Sequence, residues 1–150
     1  MRPPVRYPGG KQAVARAIAD MLPVHDHYVE PFMGAASVFF AKPPSPIETL
    51  NDLDREIFNF FRVLRDRPAD LGRVCSLTPY SKAEYEAAVA PLGPAADEVD
   101  AARRTWVRLS QGRGSRVSSP SWQNKIQGDF SSPRYLKGYL ARMAPCAERL

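Results

Sequence analysis

The chain has 150 residues, 44% of them hydrophobic and 25% charged, with a net charge of +5 and an isoelectric point near 9.5. That is room for one ordinary domain with a core, and the basic balance favours an anionic partner such as nucleic acid. No apolar run of about 18 residues and no signal-peptide pattern occurs, and Cys75 and Cys146 are too few for a disulfide framework and too separated for a zinc motif, so no membrane, no metal and a cytoplasmic location are expected.

The first patterned stretch is Arg6-Tyr7-Pro8-Gly9-Gly10-Lys11. An amphipathic helix is expected after it, from about Gln12 to Leu22, with Ala15, Ile18, Ala19 and Leu22 at helical spacing. Gly9-Gly10 offers a flexible turn into that helix, with Lys11 in its first turn. A cation there opposes the helix dipole unless a ligand carboxylate offsets it. The stretch is not a P-loop, because the four-residue spacer and following Ser or Thr are absent.

Next comes Tyr28-Val29-Glu30-Pro31-Phe32-Met33-Gly34-Ala35-Ala36-Ser37-Val38-Phe39-Phe40. It reads as the end of a short buried strand, an acid at the strand's carboxyl end, a tight turn through Pro31 and Gly34, and a helix from Ala35 or Ala36. Open α/β sheets build ligand crevices in this way, beyond the carboxyl ends of their strands. Gly34 lets backbone approach a ligand without a Cβ. Glu30 argues against a phosphate and for a cationic or hydroxyl-bearing ligand. An ordinary strand-turn-helix unit stands as the plain alternative. His25 and His27 precede the strand, with no third metal-ligand candidate nearby.

A second strand is expected over Ile47-Glu48-Thr49-Leu50, followed by Asn51-Asp52-Leu53-Asp54 and a helix through Ile57, Phe58, Phe61, Val63 and Leu64. An acid at the end of a second strand, about twenty residues past a glycine turn, suits ribose hydroxyls. Asp52 is assigned to the ligand and Asp54 to capping the helix. Phe58, Phe60 and Phe61 are expected as core, and Arg62 to Arg67 as the solvated end of the helix.

Beyond Arg67 the character changes. Ser81 and Glu84 form a capping pattern for a helix over 81–89. Pro91-Leu92-Gly93-Pro94 breaks it, and a helix from Ala95 to about Leu109 carries Val99, Ala102, Trp106 and Leu109 on its apolar side. No parallel-type strand is visible in this half. The segment Gln111 to Lys125 is polar and basic with one aromatic. Arg113, Arg116 and Lys125 are candidates for phosphates, Gln123 or Asn124 for a base edge, and Trp122 for stacking beside an extruded base. The alternative is a solvated loop with Trp122 pinned into the core. A last helix is expected from Arg134 to Met143.

The three N-terminal blocks, in this order and spacing, resemble the Dam-type DNA adenine methyltransferases, closely over residues 5–66 and loosely beyond. The family's aromatic-x-Gly-Gly-Lys, Glu-Pro-Phe-x-Gly and Asn-Asp blocks correspond here to Tyr7–Lys11, Glu30–Gly34 and Asn51-Asp52. The resemblance implies an S-adenosylmethionine site in which Tyr7, Gly9, Gly10 and Lys11 lie near the methionine end. Glu30, Pro31, Phe32 and Gly34 belong to the turn beneath it, and Asp52 holds the ribose. Tyr7 stands where the family often has Trp. The implied fold is α/β, a partial Rossmann-like methyltransferase sheet over residues 1–70 carrying an inserted helical DNA-recognition subdomain over 71–150. Double-stranded DNA is the implied partner.

The family's catalytic Asp-Pro-Pro-Tyr block occurs nowhere in the chain. Adenine's exocyclic amine is a weak nucleophile, and that block supplies the acceptors for its hydrogens and a ring to stack on the flipped base. No catalytic residue is therefore assigned. The chain is expected to stop just before the strand leading to that block, with a second chain or a further C-terminal segment completing the sheet. Three functions follow: an adenine-specific methyltransferase of the restriction-modification type lacking its catalytic motif, a non-catalytic DNA-binding or regulatory remnant, or a dinucleotide-binding oxidoreductase.

Overall fold

The computed structural model describes residues 1–91, 93, 97–113, 121, 122 and 132–150, the side chains of 132–135 excepted. Helix and strand mix in one chain: α1 (Ala15–Met21), β1 (His27–Glu30), α2 (Ser37–Ala41), β2 (Ile47–Leu50), α3 (Arg55–Asp66), α4 (Pro68–Leu77), α5 (Lys82–Val89), α6 (Glu98–Gln111) and α7 (Ser132–Arg149). The two strands pair in parallel, with His27 opposite Ile47 and Glu30 opposite Leu50. A parallel pair needs a crossover, and α2 supplies it. Both strand ends therefore face the same way, and the loops leaving them meet.

Local chemistry explains most element boundaries. Asp54 caps α3, its Oδ1 accepting from Glu56 N at 2.9 Å and Ile57 N at 3.4 Å. Ser81 caps α5, its Oγ accepting from Glu84 N at 3.1 Å. Such caps satisfy N–H groups that the first helical turn leaves unpaired, and each stabilises a helix by about 1 kcal/mol. Both were expected from the residue types.

Elsewhere the structure corrects the sequence. Helix α1 starts at Ala15, so Lys11 lies ahead of the helix and outside its dipole; its Nζ donates to Gly9 O at 2.7 Å. Helix α2 starts at Ser37 because Gly34 (φ 48) and Ala36 (φ 52) both adopt left-handed backbone, which no α-helix continues through. Strand β1 is not buried: Val29 is 51% exposed, since one face of the two-stranded sheet is left open among the described residues. Phe58 is likewise 45% exposed, whereas Phe60 and Phe61 are buried as expected.

The sequence also concealed α4. Pro68 at its start, Asp70 in its first turn and buried Leu71 and Cys75 are helix signals that Gly72 obscured. Helix α7 runs past the expected end at Met143 and through Pro145 to Arg149. Buried Cys146 and an ion pair from Arg149 to Glu48 hold this last turn in place. Tertiary packing offsets the hydrogen bond that the proline removes.

One contiguous core draws on both halves, including Val5, Phe39, Phe60, Leu71, Trp106 and Tyr139. Helix α6 packs against α3, α4 and α5, and α7 packs against α3 and α4. Among the described residues no helix is long and apolar enough to cross a membrane.

Candidate functional site

Two loops leave the strands at their shared carboxyl end, and backbone hydrogen bonds lock them together. Asn51 N donates to Glu30 O at 3.0 Å and Met33 N to Asn51 O at 3.0 Å. The Asn51 amide also donates to Pro31 O at 3.2 Å. Parallel pairing thus extends one step beyond the strands and brings Gly34 beside Asp52.

Asp52 organises this junction. Its Oδ2 accepts from Gly34 N at 2.8 Å and its Oδ1 from Asp54 N at 2.9 Å. Both partners are neutral amides, so the carboxyl group keeps two of its roughly four acceptor positions. The N-terminal segment then closes over the top. Tyr7 lays its ring on Gly34, where an added Cβ would come within 2.7 Å of Tyr7 Cδ1. Its hydroxyl donates to Asp54 Oδ2 at 2.9 Å. Burial, then the bond to and charge of Asp54, raise the Tyr7 pKa well above that of a free phenol, so Tyr7 remains a neutral donor.

A closed circuit results, running from the Tyr7 ring to Gly34, Asp52, Asp54 and back to the Tyr7 hydroxyl. It ties together three sequence blocks that lie far apart along the chain. The Tyr7–Asp54 bond alone spans 47 residues. Asp54 therefore does more than cap α3, and no spacing signal announces this second partner.

Beside the circuit lies a hollow of about 330 Å³ lined by Val5, Tyr7, Gly9, Gly10, Ala35 and Ser37, among others. Gly9 and Gly10 shape its rim. Gly9 sits at φ 70, and a Cβ on Gly10 would meet Tyr7 O at 2.9 Å. Ser37 is 5% exposed, and its buried hydroxyl has no hydrogen-bond partner among the described residues. An unpaired buried hydroxyl costs about 1–3 kcal/mol, and a ligand group in the hollow would relieve that cost. The sequence signal for Ser37 was only its place directly after the glycine turn.

The candidate residues thus divide. Tyr7, Gly9 and Gly10 line the hollow, while Gly34 and Asp52 belong to the circuit. Glu30 points into the junction of β1 and α2, its Oε2 accepting from Tyr28 OH at 3.1 Å and Phe39 N at 3.2 Å. Burial raises the Glu30 pKa, and those two donors partly offset the rise. Phe32 is 76% exposed, and Pro31 supplies a backbone acceptor.

Of the second group, Arg113 is exposed, its N–H bonded to Ser121 O at 2.8 Å. Trp122 bridges to Gly112, its ring 5.6 Å from that of Tyr80, packed against the core. Arg116, Asn124 and Lys125 lie outside the described residues. No cluster of three or more His, Cys, Asp or Glu side chains able to hold a metal ion is found among the described residues. Cys75 and Cys146 are free and buried, and burial pushes both thiols up to about 12.

The chain is 32% identical over 72 residues to the Type II methyltransferase M1.LlaDCHI of Lactococcus lactis subsp. cremoris. That match covers 47% of this chain and 25% of the relative, so it spans about a quarter of the relative's length. Residues 7–88, more than half of the chain and all three blocks of the site, match the D12 class N6 adenine-specific DNA methyltransferases, and the chain belongs to that family.

Proposed function

We propose that this chain binds S-adenosylmethionine at the Tyr7–Gly34–Asp52 junction and double-stranded DNA through its second half, as an adenine-specific DNA methyltransferase lacking its catalytic motif. The observation that carries this reading is the closed circuit of Tyr7, Gly34, Asp52 and Asp54 beside a hollow with an unsatisfied Ser37 hydroxyl. The residues fit the cofactor's chemistry. A ribose needs a carboxylate acceptor, and Asp52 retains capacity after its two amide bonds. A methionine end brings charged amino and carboxylate groups, for which Ser37 and Lys11 are the nearby polar side chains in sequence. A sulfonium favours an aromatic face, which Tyr7 offers.

When bound, the cofactor supplies an electrophilic methyl group. This chain's residues bind and orient it: Tyr7 by its ring, Gly9 and Gly10 by close backbone, Glu30, Pro31, Phe32 and Gly34 as the turn, and Asp52 as the ribose acceptor. No Asp-Pro-Pro-Tyr is present to accept the hydrogens of an adenine amine. These 150 residues are therefore proposed to bind without turnover. In architectural terms, β1 and β2 are proposed as two strands of a Rossmann-like sheet. Residues 1–70 carry the cofactor and residues 71–150 form a helical recognition subdomain. Arg113, Arg116, Trp122, Asn124 and Lys125 are its proposed DNA contacts.

Calorimetric titration tests the cofactor assignment. The wild type is expected to bind S-adenosylmethionine, with Asp52→Ala weakening it about 10-fold or more, the worth of a hydrogen bond to a charged group. Unchanged affinity in a folded Asp52→Ala variant, or nicotinamide dinucleotide binding in place of S-adenosylmethionine, would refute it. A labelled-methyl assay on adenine-containing duplex is expected to show background transfer only.

A further inference from the structure

Next to the cofactor hollow lies a second cleft, of about 480 Å³, lined by Arg2, Arg6, Gln12, Tyr139 and Arg142 together with small residues. It shares Arg6, Gly10 and Gln12 with the hollow. Three guanidinium groups, an amide and a phenol face it, and among the described residues no acidic side chain lines it. Neither Arg2 nor Arg142 forms an ion pair with a carboxylate among the described residues. Most other basic clusters here are matched by acids: Arg62, Arg65, Arg67, Arg103, Arg108 and Arg149 all pair with carboxylates.

The guanidinium of Arg142 is held in place. Arg142 donates from Nε to Gly138 O at 2.8 Å and from Nη1 to Pro3 O at 2.9 Å. Its guanidinium lies 5.0 Å from the centre of the Tyr139 ring. Its Nη2 donates no hydrogen bond among the described residues. The backbone of Arg2 is tied to the same helix through Cys146 Sγ, 3.5 Å from Arg2 O. The chain's first residues are thus pinned to α7, so cations from opposite ends of the sequence meet in one concavity. A guanidinium whose fork is already oriented loses little entropy on meeting a tetrahedral anion.

We propose that this cleft binds a backbone phosphodiester of DNA and so sets the duplex beside the cofactor hollow. The proposal rests on the DNA-binding reading above and adds a contact site outside the segment 113–125. Cationic donors with a neutral amide and phenol suit phosphate oxygens and carry no base-reading pattern, so the contact is sequence-independent.

The test is duplex binding by fluorescence anisotropy across a salt series, for the wild type, the Arg2→Gln/Arg142→Gln pair and the Arg2→Lys/Arg142→Lys pair, with S-adenosylmethionine titrated in parallel. Each phosphate neutralised contributes about 0.9 to the slope of log K against log salt. The glutamine pair is expected to lower that slope by about 1 to 2 and to weaken low-salt binding about 10-fold or more. The lysine pair, which keeps the charge, is expected to retain most of the slope. A slope unchanged in the glutamine pair overturns the proposal. So does an equal loss in both pairs, because shape rather than charge would then be responsible, and so does a wild type that binds no duplex. Loss of slope in the glutamine pair alone supports the cleft even if the wild type binds no S-adenosylmethionine, an outcome that would sink only the cofactor assignment.

Discussion

Acids on the second strand and its exit loop behave in opposite ways. Glu48, inside β2, is surrounded by cations: Lys42 Nζ at 2.6 Å and Arg149 Nη2 at 2.8 Å. Lys42 is itself buried, donates to Ser45 Oγ at 2.7 Å, and lies 4.6 Å from the centre of the Tyr28 ring. Asp52, just past the strand's end, is held among the described residues only by neutral amides. Glu30, at the tip of β1, is held by an amide and a phenol. The difference separates structure from function. A carboxylate answered by two cations has no charge left to offer a ligand. Carboxylates fixed by neutral donors are positioned without a counter-cation.

Glu48→Gln should produce the largest break in this contrast. It leaves Lys42 buried without its counter-charge, and breaking a buried pair costs about 3 kcal/mol. Urea unfolding would measure it, and a loss below about 1 kcal/mol would show the pair to be dispensable. Acid titration sharpens the same point. Burial alone would raise the Glu48 pKa, but the hydrogen bonds from Arg149 and Lys42 outweigh it and hold the group at about 2. Its folded-state value lies below its unfolded value, so its contribution is complete above about pH 4.5 and is lost as pH falls toward 2. Glu30 is shifted upward, so its protonated form is favoured by folding and its contribution is lost as pH rises through the folded value. Glu48→Gln should flatten the acid limb of stability, whereas Glu30→Gln should steepen it; identical profiles would erase the distinction.

Gly34→Ala should have the next largest effect. It places a Cβ at positive φ and against the Tyr7 ring, costing about 2 kcal/mol in stability. Because Tyr7 must move, S-adenosylmethionine affinity should fall as well; a folded variant with full affinity would show that the Tyr7–Gly34 contact is not part of the site. Tyr7→Phe should have the smallest effect. It keeps the ring on Gly34 and removes only the bond to Asp54, a loss of about 1 kcal/mol. Chemical denaturation of Tyr7→Phe, Asp54→Asn and the pair together would give the coupling directly, and strictly additive effects would show that the two groups do not interact.

Much of the site's surroundings could be read before the fold was known, and the reasons are local. A cap needs only an Asp or Ser before a helix, as at Asp54 and Ser81. A strand needs a short apolar-biased run ending in an acid and a turn, as at His27–Glu30 and Ile47–Leu50. Signals of that kind failed where neighbours interfered. Gly72 concealed α4, and packing carried α7 through Pro145 beyond the expected end at Met143. The left-handed Ala36 was also illegible, because alanine adopts that backbone only when the surrounding structure demands it.

By itself the sequence determined the order of the three blocks, the glycine turn, the capping residues and the lack of an Asp-Pro-Pro-Tyr, all of which are properties of adjacent residues. Only the tertiary structure decided which carboxylates would be answered by cations. Arg149 reaches Glu48 across 101 positions, Tyr7 reaches Asp54 across 47, and Arg142 reaches Pro3 across 139. Charge and hydrogen bonding act through space, so the chain's folded path, not its spacing, selects the partner.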